Sequence, residues 1–314
     1  MRAGPLHGVS VIKMLGSVVQ LIIGTVQALS LVRRRQPDVI LLTGGWVSLP
    51  IAMAGWLLRV PSLIYLPDIE PGLAIKMLRH FATRVAVTAE ESKAFFRLGQ
   101  AVVTGYPIRE SLKAAVNQRD QAIRHFGLDP SRKTLLVWGG SRGARTINHA
   151  LMDVLPDFLN DGMQVVHVTG TLDWEDLQKR HAQLAATHPD LIGQYHPFAY
   201  LNEDMGLAMS AADVTVSRAG ASILGEYPLF GLPSILVPYP YAWRYQKTNA
   251  DYLSGRGAGI LMRDEDMAQD LLPTIRSLTD ERLAAMKVSA TALDVPDGAW
   301  NVARELLDLA GGNS

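Results

Sequence analysis

The stretch from Asp213 to Asn249 constrains this chain more than any other. Asp213-Val214-Thr215-Val216-Ser217 is a run of β-branched and small residues without polar alternation. That is the pattern of a strand covered on both faces in a parallel sheet. The turn Arg218-Ala219-Gly220-Ala221 follows, and a helix is expected from Ser222 to Phe230-Gly231-Leu232-Pro233, with Glu226 in its first or second turn. A second apolar strand, Ser234 to Pro238, comes at once, then a polar, aromatic loop from Tyr239 to Gln246 and a helix through Asn249. Strand, helix and strand in this order make a βαβ unit, whose strand-end loops point to one edge of a parallel sheet. The fold class is therefore α/β, with doubly wound sheets.

The small residues Ala219, Gly220 and Ala221 let backbone N–H groups approach a ligand closely, and they sit where a helix begins. The helix dipole favours a phosphate there. A carboxylate at Glu226 would repel that phosphate unless it held something else. An ionised carboxylate only accepts hydrogen bonds, so a ribose diol is a natural partner. The alternative is that Glu226 merely caps its helix. A capping box places the acid three residues after the cap, and Gly225 stands there.

The chain's 314 residues are enough for two domains. Strands are expected at Val39–Leu42, Pro61–Tyr65, Arg84–Thr88 and Ala101–Thr104, with a helix at Glu91–Leu98. Residues 110–132 are charged and irregular, as suits a linker. A second domain opens with strand Thr134–Trp138 and the turn Gly139-Gly140-Ser141-Arg142-Gly143-Ala144-Arg145, followed by helix Thr146–Leu159 and strand Gln164–Val168. A glycine-rich turn between strand and helix cradles phosphate or lies close to a second backbone. Its spacing is not the dinucleotide fingerprint. Arg145 is either a surface arginine or a nucleotide contact. Lys+Arg and Asp+Glu balance at 30 each, so bulk charge gives no argument for nucleic acid. There is no cysteine, which removes disulfides, thiolate metal sites and cysteine nucleophiles.

From Met14 to Val32 the chain is uncharged and largely apolar, and Arg33-Arg34-Arg35 follows. By length this segment could span a bilayer. Gly16, Ser17, Gln20, Gly24, Thr25, Gln27 and Ser30 dilute it, and aliphatic residues recur at helical spacing. The expectation is an amphipathic helix packed on a domain with part of its face in an anionic membrane interface. A true transmembrane anchor is the alternative.

Arg218-Ala219-Gly220-Ala221 with Glu226, Gly231-Leu232-Pro233, Val237-Pro238-Tyr239-Pro240, Gln246-x-x-Asn249-Ala250 and Gly139-Gly140-Ser141-x-Gly143-Ala144-Arg145 together resemble the MurG family. The resemblance implies the architecture called GT-B, two Rossmann-like domains facing a cleft. Residues 1–118 would form a partial acceptor and membrane-side domain, and residues 119–295 the UDP-sugar domain. A terminal helix, 296–311, would pack back on the first. It also implies an enzyme that moves N-acetylglucosamine from its UDP sugar to undecaprenyl-linked lipid I, making lipid II at the cytoplasmic face of the bacterial membrane as a peripheral protein. No cofactor and no metal are implied. The substrate contacts it implies are Ser141, Arg145, Thr169, Asn202, Arg218, Gly220, Ala221, Ser222, Ile223, Glu226, Tyr245, Gln246, Asn249 and, from Thr104-Gly105-Tyr106-Pro107, Tyr106. The alternatives are another UDP-sugar transferase with a lipid acceptor, or a non-catalytic nucleotide-sugar-binding fragment that needs a partner chain.

The family opens with a strand and a glycine-rich histidine loop, whereas Met1 to Gly8 resembles the chain after the third strand of that domain. About one βαβαβ segment is expected to be absent, through a truncated gene model, a fragment or a split protein. None of the eight histidines takes the loop histidine's place, and Asp68 is a candidate base in its stead. The expectation is donor binding with slow transfer or none.

Overall fold

The computed structural model describes residues 11–140 and 144–311, and the side chains of these apart from 11–19, 242 and 243. The chain divides into two compact units, Met1–Pro107 with Val295–Ser314, and Ile108–Asp294.

The first unit holds strands β1 (Ile40–Leu42), β2 (Ser62–Leu66), β3 (Arg84–Val87) and β4 (Ala101–Val103). They lie in that order, all parallel. Side chains alternate across the sheet. Ile64, Leu66, Val85 and Val87 meet Leu49 and Ala52 of the helix Ser48–Leu57, and Ile75 and Leu78 of the helix Leu73–Leu78. Leu63 and Ala86 point the other way, against Val302, Leu306 and Leu309 of the final helix Gly298–Gly311. The central strands β2 and β3 are buried on both faces, which is why they read as apolar runs. The final helix is anchored by Asn301 Nδ2 donating to the Thr104 carbonyl at 3.1 Å and by the Arg84–Glu305 ion pair. It starts on glycine because a Cβ at Gly298 would meet the Tyr106 carbonyl oxygen at 2.5 Å.

The helix Val11–Arg35 packs on the helix Ser48–Leu57, with Ala28 and Val32 against Ala54. Ile22, Ile23 and Val26 face outward, and Arg33, Arg34 and Arg35 form its last turn. Among the described residues no helix is long and apolar enough to cross a membrane.

The second unit holds β5 (Thr134–Trp138), β6 (Gln164–Val168), β7 (Tyr195–Phe198), β8 (Val214–Ser217), β9 (Ser234–Leu236) and β10 (Gly259–Leu261). The spatial order is β10-β9-β8-β5-β6-β7, with every pair parallel. Leu135, Val137, Val165 and Val216 bury against Ile147, Leu151, Leu155 and Phe158 of the helix Arg145–Asn160. The strand order reverses between β5 and β8, so the loops that follow these two neighbours diverge and leave a crevice.

Three elements differ from the sequence expectation. The supposed linker contains two short helices, Glu110–Ala115 and Arg119–Phe126. They belong to the second unit and pack on the helix Met205–Ala211, where Gly206 leaves room for the Ala115 methyl. Arg119 also donates to the Ala211 carbonyl at 2.6 Å and to Asp213 at 3.0 Å. Helices of six and eight residues are too short to show a clear period. Strand β7 was not foreseen. It is an edge strand, where Pro197 is tolerated. The helix expected at Glu91–Leu98 is a 3₁₀ segment, Glu90–Phe95.

Candidate functional site

Two cavities open at the C-terminal ends of β5 and β8, where the strand order reverses. The first, about 310 Å³, lies between Gly139-Gly140 after β5 and Gly220, Ser222 and Ile223 after β8, with Gln246 beside it. The second, about 540 Å³, adds Arg145, Asp173 and Tyr239 and shares Gly139, Arg218 and Gln246 with the first. Sequence segments a hundred residues apart thus meet at one sheet edge. A further cavity of about 510 Å³, lined by Arg119, Lys133, Asp213 and Lys287, opens at the opposite end of this sheet and takes in none of the expected contacts.

The turn after β8 is fixed from behind. Asn249, fully buried, donates from Nδ2 to the Ala219 carbonyl at 3.2 Å. The amides of Ile223, Leu224 and Gly225 bond to the carbonyls of Gly220, Ala221 and Ser222 at 3.1–3.2 Å. The helix Ile223–Phe230 therefore starts with a tight turn whose positive end faces the first cavity. Glu226 stands within this helix and is 7% exposed. Burial raises its pKa above the ordinary carboxylate range, while a Ser222 hydrogen bond and the charge of Arg109 pull it back in part. Below the cavity Trp138 Nε1 donates to the buried Tyr227 hydroxyl at 3.0 Å.

Arg218 is a buttress. Its side chain is 10% exposed and paired with Asp264. It donates to the Val237 carbonyl at 3.3 Å and lies 5.3 Å from the Tyr239 ring centroid. Those partners engage the guanidinium in holding the loop after β9, while Arg218 also lines both cavities. Gln246 accepts the Tyr239 N–H at 2.8 Å through Oε1. Its amide NH₂ is thereby left toward the cavities.

Arg145 begins the helix Arg145–Asn160. Its side chain is 73% exposed, yet Nε donates to Asp173 Oδ1 at 2.9 Å. The two terminal nitrogens complete the guanidinium fork, a geometry that suits a phosphate. Thr169 ends inside the protein: it is fully buried and its hydroxyl meets the carbonyls of Gly170 and Phe198 at 3.1 and 3.3 Å. It supports the loop from beneath and does not line either cavity. Asn202 is exposed in the turn before the helix Met205–Ala211, and Tyr245 is half-buried in the helix Trp243–Ser254; neither lines the two cavities. Ser141 lies outside the described residues. Tyr106 and Asp68 belong to the first unit, both half-buried. Their charges add to burial in raising the Tyr65 hydroxyl pKa.

Sequence reasoning missed Asp173, Asp264, Tyr239 and Trp138 as site residues. Asp173 sits three residues after Thr169-Gly170, in a short polar loop at a strand end, and that position was a usable signal.

The model of the glycosyltransferase family 28 C-terminal domain matches residues 134–301, and that of the family's N-terminal domain matches residues 2–87. The chain belongs to glycosyltransferase family 28. A curated family 28 relative from Halalkalibacterium halodurans is 37% identical over 287 residues, which is 90% of this chain and 77% of that protein. One from Chlorobium limicola is also 37% identical, over 91% of this chain and 76% of its own length. Both carry the name UDP-N-acetylglucosamine–N-acetylmuramyl-(pentapeptide) pyrophosphoryl-undecaprenol N-acetylglucosamine transferase. Among solved structures, the Acinetobacter baumannii MurG is similar in fold with a TM-score of 0.73 at 23% identity, covering 98% of this chain and 84% of that one. A UDP-GlcNAc 2-epimerase from Neisseria meningitidis, bound to UDP-GlcNAc, follows at 0.64 and 12%, covering 92% and 81%. The paired parallel-sheet α/β units of this chain are of the GT-B kind that such family 28 proteins share.

Proposed function

We propose that this chain is an inverting glycosyltransferase. It moves N-acetylglucosamine from UDP-N-acetylglucosamine to undecaprenyl-pyrophosphoryl-N-acetylmuramoyl pentapeptide, lipid I, and yields lipid II for peptidoglycan. The observation that carries this reading is the meeting of the Gly139-Gly140 turn, Arg145, the Gly220–Ile223 helix start and Gln246 around adjoining cavities, in a chain with 37% identity to relatives of that name.

An acceptor hydroxyl attacks C1 of the sugar and gives up its proton to a base or to solvent water, the C1–O bond to the pyrophosphate breaks, and UDP leaves with the bond electrons. Negative charge grows on the β-phosphate as it leaves. A helix N-terminus and the fork of Arg145 stabilise that charge where it develops. Glu226 accepts from the ribose hydroxyls, and the Gln246 amide donates to the sugar-phosphate end. These groups supply the stabilisation without a cofactor. The acceptor is held in a membrane, and the outward Ile22, Ile23 and Val26 with Arg33, Arg34 and Arg35 suit a peripheral seat on an anionic, cytoplasmic surface.

The test is transfer. The purified chain is incubated with UDP-N-acetylglucosamine labelled in the sugar and a lipid I analogue in detergent. Label should enter the lipid fraction with one UDP released per sugar moved. Label released as free sugar, or none moved, would overturn the proposal.

A further inference from the structure

Behind Arg145 a chain of buried hydrogen bonds runs back into the sheet. Arg145 Nε donates to Asp173 Oδ1 at 2.9 Å. Asn148 Nδ2 donates to Asp173 Oδ2 at 3.0 Å and to the Thr169 carbonyl at 2.8 Å. Asn148 Oδ1 faces His167 Nε2 at 3.0 Å, and His167 Nδ1 faces the Tyr195 hydroxyl at 2.8 Å. Asn148, His167, Asp173 and Tyr195 are all buried. They come from four elements, so local sequence does not dictate the contacts.

The partners fix every proton. Two acceptors hold the Asn148 NH₂, so its oxygen must face His167. That oxygen accepts, so His167 carries its proton on Nε2, and Nδ1 accepts from Tyr195. Burial holds the imidazole neutral, with its pKa lowered to about 3. The chain therefore has one direction of donation, from Tyr195 through His167 and Asn148 to the carboxylate of Asp173. That carboxylate holds the guanidinium at Nε, so that the terminal pair of nitrogens can serve a phosphate. A free arginine loses rotamer entropy when it is immobilised, and one fixed beforehand loses less.

We propose that His167, through Asn148 and Asp173, is a positioning residue that pre-orients Arg145 for the pyrophosphate of a nucleoside diphosphate. The inference rests on the reading of Arg145 as a phosphate contact. It gives a buried strand histidine, which does not touch substrate, a measurable share in phosphate recognition.

UDP and uridine separate positioning from general support, because uridine has no phosphate. His167→Leu should weaken UDP binding by about 5–10-fold, the equivalent of one lost hydrogen-bonded link, and leave uridine binding unchanged. His167→Gln keeps a donor at the Nε2 position and should recover most of the loss. In an Arg145→Ala background His167→Leu should add nothing further. Equal weakening of UDP and uridine, full additivity with Arg145→Ala, or wild-type UDP binding by His167→Leu would each overturn the positioning role. If Arg145→Ala itself leaves UDP binding unchanged, the phosphate contact falls first and the inference falls with it. Should His167→Leu fail to fold, Asp173→Ala, at the cavity end of the chain, takes its place and must show the same loss for UDP and none for uridine.

Discussion

Gln246 takes the backbone N–H of Tyr239 on its Oε1 at 2.8 Å, across seven residues of the loop that follows β9. One bond therefore decides both the loop's shape and the face the amide shows the cavities. A glutamine whose oxygen is engaged behind it can only donate in front. Gln246→Glu keeps the acceptor for Tyr239, removes the donor and brings a negative charge beside a phosphate site. It should weaken UDP-N-acetylglucosamine more than Gln246→Ala does, with the alanine variant losing about 1–3 kcal/mol. Calorimetric titration reads both, and a glutamate variant that binds as well as the native chain would refute the orientation.

Arg218 and Asp264 make a prediction about stability. With side chains 10% and 14% exposed, the pair is nearly out of water. Asp264→Ala leaves the guanidinium buried with, among the described residues, the Val237 carbonyl and the Tyr239 ring. The expected cost is about 3 kcal/mol. Arg218→Met combined with Asp264→Ala should recover much of it, since apolar pairs of similar volume often replace buried ion pairs without loss. Thermal denaturation checks both. A single variant as stable as the native chain would show that the pair does not hold the loop.

Glu226 ties binding to pH. Burial raises its pKa, so in the free chain its ionisation costs stability, and that cost grows as pH rises from the unfolded-state value through the folded one. If, as proposed, ribose hydroxyls donate to the ionised form, UDP binding should release a proton below the raised pKa. Affinity should climb with pH and level once the free carboxyl is ionised. Glu226→Gln should remove this dependence, weaken UDP by about 1–3 kcal/mol and stabilise the free chain at neutral pH. Calorimetry in two buffers of different ionisation enthalpy counts the proton. Affinity independent of pH in the native chain would remove the ribose role.

The helix Val11–Arg35 predicts a salt-sensitive membrane contact. Its outward Ile22, Ile23 and Val26 supply apolar area, and each arginine of the last turn adds roughly 1 kcal/mol near an anionic surface. Val26→Asp should cut sedimentation with anionic vesicles several-fold, and high salt or alkaline carbonate should release the native chain. Retention that only detergent breaks would favour insertion.

Strands buried on both faces announced themselves. Thr134–Trp138 and Gln164–Val168 match the expected bounds, because continuous apolar runs between turns have one reading here. The helices that begin at Arg145 and Ile223 were expected within one residue, at Thr146 and Ser222, marked by turns of glycine and other small residues. The short helices at 110–126 and the edge strand Tyr195–Phe198 were not, because six or eight residues carry little periodicity and an edge needs no apolar run. Within the site, the sequence named Gly220, Ser222, Ile223, Arg145 and Gln246, which line the cavities. Arg218 lines both cavities while holding the loop after β9, and Thr169 and Asn249 turn out to be buried supports. Their partners, Asp264, the Phe198 carbonyl and the Ala219 carbonyl, lie 46, 29 and 30 residues away, and only the folded sheet brings them together.

A crystal structure of the chain with UDP tests the site most directly. The expected result places the pyrophosphate between the start of the helix Ile223–Phe230 and the terminal nitrogens of Arg145, with the ribose hydroxyls on Glu226. UDP seated in the cavity at the other end of the sheet, by Lys133 and Lys287, or phosphates with no contact to Arg145, would contradict it.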